Sequence, residues 1–270
     1  MKLPRELLQD LRAGNTILFA GAGVSQNLRL PSWDELISHL ARKSGFDPAI
    51  FKVLGNHDPL ALAEFYKIEK GSIQPLLKWM DREWHRSDIK IKSSRIHQLI
   101  VKLDFPIIYT TNYDRWLEKA FECWKRKYVK IANVGDLQKE TRGATQIVKF
   151  HGDFDDDASI VLTESDYFRR LSFEDALDIK LRSDVISKGI LFIGYGLRDI
   201  NIRYLLFKLQ TIWDAYKGDN PRRQSYIFLR QPNRIQERVL EKRGVKPIIS
   251  PVENAGEGLQ IFLERLYSAL

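Results

Sequence analysis

From residue 106 to the C-terminus, short apolar runs alternate with stretches of helical period, and this alternation limits the fold more than any other feature. The runs are Pro106 to Tyr109, Thr145 to Phe150, Ile190 to Ile193, Tyr226 to Leu229 and Val245 to Ile249; an earlier one, Thr16 to Ala20, opens the series. Between them Trp116, Leu117, Ala120 and Phe121, and later Leu205, Leu206 and Leu209, recur at the spacing of one helix face. A strand exposed on one side alternates polar with apolar residues; these do not. Apolar strands separated by helices predict a parallel sheet covered on both faces.

The expected fold class is therefore α/β, a Rossmann-like parallel sheet with helices on both faces. Between the first two strands lies a long helical stretch. Pro31-Ser32 leads into a helix with Trp33, Leu36, Ile37, Leu40 and Ala41 on one face, and Pro59 to Lys70, Ser72 to Trp84 and Arg95 to Leu103 follow. This reads as a helical subdomain inserted at about 34–103 of a single domain spanning 1–270. At 44% hydrophobic the chain can bury a full core. No apolar run approaches the roughly 18 residues of a membrane span, and Met1 to Glu6 has no secretory character, so a cytoplasmic protein with no membrane contact is expected.

Three short segments stand where an apolar run ends: Gly21-Ala22-Gly23-Val24-Ser25, Thr110-Thr111-Asn112-Tyr113-Asp114 and His151-Gly152-Asp153. Ligands of open α/β sheets bind off the carboxyl ends of the strands, so the three describe one site. A Gly-x-Gly lets backbone approach a phosphate because no Cβ intervenes. The usual dinucleotide fingerprint is incomplete: Gln26 replaces its third glycine, and Leu40 to Ser44 holds no acidic residue for a ribose. An ordinary dehydrogenase is disfavoured, and no P-loop motif is present. As a plain turn the glycine segment would be unremarkable.

The other segments also have ordinary readings. Thr111 with Asp114 three residues on makes a capping box for the following helix, which would leave Asn112 a first-turn residue. His151 could be a buried histidine bonded to a carbonyl. Of the remaining histidines, His39 and His97 lie in helical patterns, His57 in a polar loop and His85 at the end of a charged helix. Only His151 follows a strand and precedes a glycine. The lone Cys123 excludes an internal disulfide and a multi-cysteine zinc site, and no metal is expected. Asp155-Asp156-Asp157 lacks the spacing of a cation loop and reads as solvated. The net charge of 43 minus 35, or +8, is spread over scattered clusters, so nucleic-acid contact has charge but no motif in its favour.

Together, Gly21-Ala22-Gly23-Val24-Ser25, Asn112-Tyr113-Asp114 and His151-Gly152 resemble the sirtuin superfamily, which carries Gly-Ala-Gly-x-Ser, x-Asn-x-Asp after a strand and a His-Gly pair. Gly194-Tyr195-Gly196 is similar to the later loop of that superfamily on the ribose and adenine side. The resemblance runs from about Thr16 to Arg198 and is looser beyond. Protein-deacylating members carry a four-cysteine zinc module and a Pro-Asp-Phe-Arg element; this chain has no cysteine after Cys123 and reads Leu30-Pro31-Ser32-Trp33-Asp34. With Pro-x-Trp and Thr-Thr-Asn-Tyr-Asp, it resembles the prokaryotic sirtuin-like effector group.

That group's members typically hydrolyse NAD+ in antiphage defence. The resemblance implies NAD+ as substrate, cleaved to nicotinamide and ADP-ribose through an oxocarbenium-like state. It gives Asn112 the task of orienting water and His151 that of holding the ribose hydroxyls or taking a proton. Gly21, Ala22, Gly23 and Ser25 would line the pyrophosphate, Asp114 would bond the nicotinamide amide, and Gly194 and Tyr195 would contact the adenosine side. Asp34 could reach the site from its first helical turn, or serve only the helix dipole there. A toxic NADase needs restraint, which implies a homo-oligomer or a separate activating partner. The alternatives are an NAD-dependent deacylase or ADP-ribosyltransferase, and a non-catalytic NAD or ADP-ribose sensor.

Overall fold

The computed structural model describes residues 2–172, 174–195, 200–215 and 222–270. Gly196 and Arg198 lie outside the described residues, as does the side chain of Trp33. The first elements are α1 (Arg5–Arg12), β1 (Thr16–Ala20), α2 (Trp33–Lys43), α3 (Pro48–Leu54), α4 (Pro59–Lys70), α5 (Gln74–Trp84) and α6 (Arg95–Lys102). The alternating part follows: β2 (Ile107–Thr110), α7 (Trp116–Cys123), β3 (Tyr128–Ile131), β4 (Thr145–Lys149), α8 (Glu164–Arg170), α9 (Ala176–Ser187), β5 (Gly189–Ile193), α10 (Ile200–Ala215), β6 (Ser225–Leu229), α11 (Arg234–Lys242), β7 (Val245–Ile249) and α12 (Ala255–Ala269).

The strands form a 7-stranded sheet in the order β3-β4-β2-β1-β5-β6-β7, every pair parallel. The expected α/β fold with helices on both faces is what the chain adopts. Successive strand residues divide between the faces. Leu18, Ala20, Ile108 and Leu191 pack with α1, α6, α7 and α12; Ile17, Phe19, Tyr109 and Phe192 pack with α9, α10 and α11. Both faces are therefore apolar, as the unbroken runs require.

The order turns about β1, which pairs with β2 on one side and β5 on the other. This is the switch point beside which open sheets bind ligands. The register makes it a level platform: Lys149 pairs with Thr110, Thr110 with Ala20, and Ala20 with Ile193. The next residues of β4, β2, β1 and β5 therefore emerge side by side.

Helices α2 to α5 share a core of their own around Leu40, Phe51, Leu62, Leu77 and Met80. That core takes in Tyr113, Phe154, Ile160 and Leu162, which come from the loops after β2 and β4. Helix α6 packs instead into the face of the sheet with α7 and α12. Two elements are not apparent from sequence pattern. Strand β3 follows the basic run Lys125-Arg126-Lys127 and is a half-buried edge strand, so it never shows an apolar run. Helix α3 is only seven residues long and is set by Asp47, whose carboxylate accepts from the amides of Ala49 (2.9 Å) and Ile50 (3.2 Å) ahead of Pro48. Pro247 is tolerated in β7 because that strand is the other edge.

Candidate active site

The loops after β1 and β5 meet backbone to backbone. The Gly21 amide donates to Ile193 O and the Gly23 amide to Gly194 O, both at 2.9 Å. A Cβ on Gly21 would stand 2.6 Å from Gly194 O, and one on Gly23 would stand 2.7 Å from Gly194 Cα. Gly194 itself has φ of 66° and no room on its side, since its Cβ would lie 2.6 Å from Val24 N. The glycines are thus needed first for this loop-to-loop contact. The Tyr195 ring lies across Gly21, and its hydroxyl bonds the Thr111 hydroxyl after β2.

Asn112 is tied to the glycine loop directly. Its Nδ2 donates to Gly21 O (3.2 Å) and to Ser25 Oγ (3.3 Å), while its own amide donates to Thr110 Oγ1 (3.0 Å). Thr110 Oγ1 donates in turn to Ala20 O at 2.8 Å. Both amide protons of Asn112 are engaged, which leaves Oδ1, an acceptor, as its chemically available group. The capping box expected from Thr111 and Asp114 does not form. Helix α7 begins later, at Trp116, and Thr111 is drawn to Tyr195 instead. The Asp114 carboxylate is buried and accepts from the Trp116 amide at 3.1 Å.

His151 is buried at the end of β4, stacked on Phe150 with ring centroids 5.9 Å apart, and its Nδ1 lies 3.4 Å from the Tyr167 hydroxyl. Gly152 follows because its φ is 90° and a Cβ would meet Ser159 O at 2.3 Å. Asp34 goes elsewhere: its carboxylate is 75% exposed and pairs with Lys52 of α3 at 2.5 Å. Gly21, Gly23, Ser25, Thr111, Asn112 and Tyr195 thus form one bonded group, while Asp114 and His151 are buried in the segments that follow the neighbouring strands β2 and β4. Ala22 belongs to the same turn as Gly21 and Gly23.

A set of charged residues lies under these loops and carries almost no mark in the sequence. Lys149, fully buried on β4, has Glu118 Oε1 at 3.3 Å and Asp153 Oδ2 at 3.6 Å. Burial pushes the Glu118 carboxyl up, against the pull of Lys149. Asp153 also accepts from Lys130 Nζ at 3.2 Å. His85, at the end of α5, accepts the Arg115 amide on Nε2 (2.9 Å), so its proton is on Nδ1, which faces Asp81. Burial holds the His85 imidazole below its ordinary range. His97 is wholly buried; burial pulls its pKa to about 4, against a smaller upward pull from Asp114. Its Nδ1 lies 2.7 Å from Ser94 Oγ, which accepts from Asn27 Nδ2 at 2.7 Å. A lysine in the apolar run ahead of the His-Gly pair is the one local signal of this layer. Among the described residues no His, Cys, Asp or Glu cluster could hold a metal ion, and no helix is long and apolar enough to cross a membrane.

The profile of the SIR2-like domain matches residues 106–248, from β2 to β7. The chain belongs to the SIR2-like family. This SIR2-like chain is 30% identical to the NAD(+) hydrolase ThsA of Enterococcus faecium over 213 residues, which are 78% of this chain and 43% of that protein. It is 28% identical to the NAD(+) hydrolase ThsA of Bacillus cereus (strain MSX-D12) over 239 residues, 85% of this chain and 46% of that protein. Defense-associated sirtuin 2 of Bacillus subtilis is 27% identical over 209 residues, 75% of this chain and 20% of that protein. The SIR2-like chain therefore spans less than half the length of these relatives.

Proposed function

We propose that this SIR2-like chain hydrolyses NAD+ to nicotinamide and ADP-ribose, as the NAD(+) hydrolases it resembles are named for doing. The observation that carries the reading is the bonding of Asn112 Nδ2 to Gly21 O and Ser25 Oγ, which joins an uncharged acceptor to the glycine loop at the switch point of the sheet. Nicotinamide leaves as a neutral ring, so the reaction needs no strong acid. It needs a water held under the ribose and a wall that steadies positive charge. Asn112 Oδ1 accepts from that water and aims it at C1 of the ribose. His151 holds the ribose hydroxyls. The water's second proton is lost to solvent or to His151, and the C–N bond electrons go to nicotinamide.

Gly21, Ala22, Gly23 and Ser25 line the pyrophosphate; the Gly21 and Gly23 amides, and the space beside their Cα atoms, are taken by the β5 loop, so the glycines shape the turn that faces it. Asp114 bonds the nicotinamide amide, and Gly194 and Tyr195 bound the adenosine side. The enzyme serves antiphage defence, held in check until self-association or a partner protein releases it. The support for that role is the name of the B. subtilis relative.

Incubation of the purified protein with NAD+, with nicotinamide and ADP-ribose separated by chromatography, tests the activity. Equal release of the two is expected. ADP-ribose binding without nicotinamide release, at protein concentrations high enough to allow self-association, would overturn release by self-association and leave an effector awaiting its partner or a binding module.

A further inference from the structure

The carbonyls of Tyr113 and Asp114 point down from the Asn112 loop onto Lys149. Its Nζ donates to Asp114 O at 2.5 Å and to Tyr113 O at 3.4 Å. We propose that Lys149 is a positioning residue for Asn112: its ammonium holds the loop by two carbonyls, and Glu118 and Asp153 hold the ammonium from below. The inference rests on the reading of Asn112 as the group that orients water.

Position 149 is the last residue of β4, a strand paired on both sides, with zero exposure, and a hydrophobic side chain of the same volume would fill it at lower cost. A buried ammonium persists only where it is paired and hydrogen-bonded. Here Glu118 from α7 and Asp153 from the loop after β4 supply the counter-charge, at 3.3 Å and 3.6 Å. What the lysine adds that a hydrophobe cannot is donation to the two carbonyls. Three amides of the segment are held in the same manner, two by side chains of the segment itself and one from α5. Thr110 takes the Asn112 amide, His85 the Arg115 amide and the Asp114 carboxylate the Trp116 amide. Tyr113 is anchored by its hydroxyl, which donates to Val161 O at 2.6 Å. Lys149 is the member of this set that reaches the loop from beneath, on the strand that also carries His151. Its ammonium therefore ties the loop that carries Asn112 to the end of the strand that leads to His151, so that the bonds of Asn112 to Gly21 O and Ser25 Oγ start from a fixed backbone.

The test compares wild type with Lys149→Met and Lys149→Arg by hydrogen exchange of the segment 107–117 and by steady-state NAD+ cleavage. In Lys149→Met the amides after β2 should exchange about tenfold faster or more while β5 and β6 keep their protection. The kcat for NAD+ should fall roughly 10- to 100-fold with KM changed by less than about threefold, because orientation rather than binding is lost. Lys149→Arg, which keeps a charged donor, should recover part of both. A role confined to global stability would lower the melting temperature and leave the local exchange and the kcat of the folded protein unchanged. If Lys149→Met does not fold, Lys149→Met/Glu118→Gln removes the orphaned carboxylate together with its cation and is held to the same criteria. Unchanged exchange in 107–117 in a folded variant overturns the proposal. The exchange readout needs no NAD+, so a loop that loosens in a protein that never cleaves NAD+ would overturn the assigned activity and leave the clamp standing.

Discussion

On the β1 and β5 side of the candidate site, backbone touches backbone: Gly21 and Gly23 bond the strand and loop of β5, and Gly194 fills the space a side chain would take. On the β2 and β4 side, the loop carrying Asn112 stands on charged and polar side chains, Lys149, Glu118, Asp153, His85 and Thr110. The first side depends on shape and is indifferent to proton and salt. The second depends on ionisation. Asn112 bridges the two through Gly21 O and Ser25 Oγ, so its removal touches both.

The largest expected effect breaks the bridge. Asn112→Ala should reduce NAD+ cleavage roughly 10²- to 10⁴-fold, and His151→Ala by a similar factor. Nicotinamide release, measured beside the melting temperature, checks both. An Asn112→Ala protein that melts lower yet cleaves at the wild-type rate would make Asn112 a brace between the loops and nothing more.

The next effect separates shape from backbone strain on the glycine side. Gly14 has φ of 67° and nothing within 4 Å of an added Cβ, so Gly14→Ala suffers strain alone, about 1 kcal/mol. Gly23→Ala suffers only the clash with Gly194 Cα, about 1 to 3 kcal/mol. Gly194→Ala combines both and should be the least stable of the three, by denaturant unfolding, with losses that do not change between pH 5 and 7 (a range of about two units in which no partner on this side titrates). A Gly194→Ala protein no worse than Gly14→Ala would mean that the two loops can part without cost.

Ionisation should show in the buried residues packed beneath the two loops, among them His97, which reaches the β1 side through Ser94 and Asn27. An unfolded histidine titrates near 6.5, whereas buried His97 takes a proton only at about 4. Between these values the unfolded chain binds the extra proton, so stability falls as pH falls through that window. By pH 5 the loss from His97 is about 2 kcal/mol relative to pH 7. Glu118, its carboxyl pushed up by burial, works in the opposite direction, since the folded state then holds the proton more tightly. The difference between wild type and His97→Gln across pH 7 to 5 isolates the histidine; equal slopes would sink the assignment.

How much of this is legible in the sequence follows the same division. The strands, the parallel sheet and the glycine loops depend on patterns a few residues long, and Gly21, Gly23, Asn112 and His151 stand out by residue type and by their place at strand ends. Glu118, His85 and His97 do not, and Lys149 does so only as a lysine within an apolar run. Each is an ordinary residue type in its own segment, and the meaning of Lys149, Glu118 and His85 comes from a partner 30 or so positions away: Glu118 to Lys149, His85 to Arg115. The same applies to Thr111, whose spacing to Asp114 fits a helix cap, but whose hydroxyl is taken by Tyr195 from across the sheet. Local pattern gives way to tertiary contact there, and the helix begins later.

The smallest effect concerns a residue that belongs to neither side. Asp34 follows the Ser32 cap of α2, where a carboxylate suits the helix dipole, and its position in the first turn would also allow it to reach for a ligand. In the structure it is 75% exposed and paired with Lys52, a surface ion pair of the kind that contributes little. Asp34→Ala should therefore change stability by no more than about 0.5 kcal/mol and NAD+ cleavage by less than about threefold. Thermal unfolding and a nicotinamide assay on the same preparation measure the two together. A fall in cleavage beyond tenfold at unchanged stability would bring α2 into the substrate's reach, and the site would then have a third wall, built from the helical layer above the sheet.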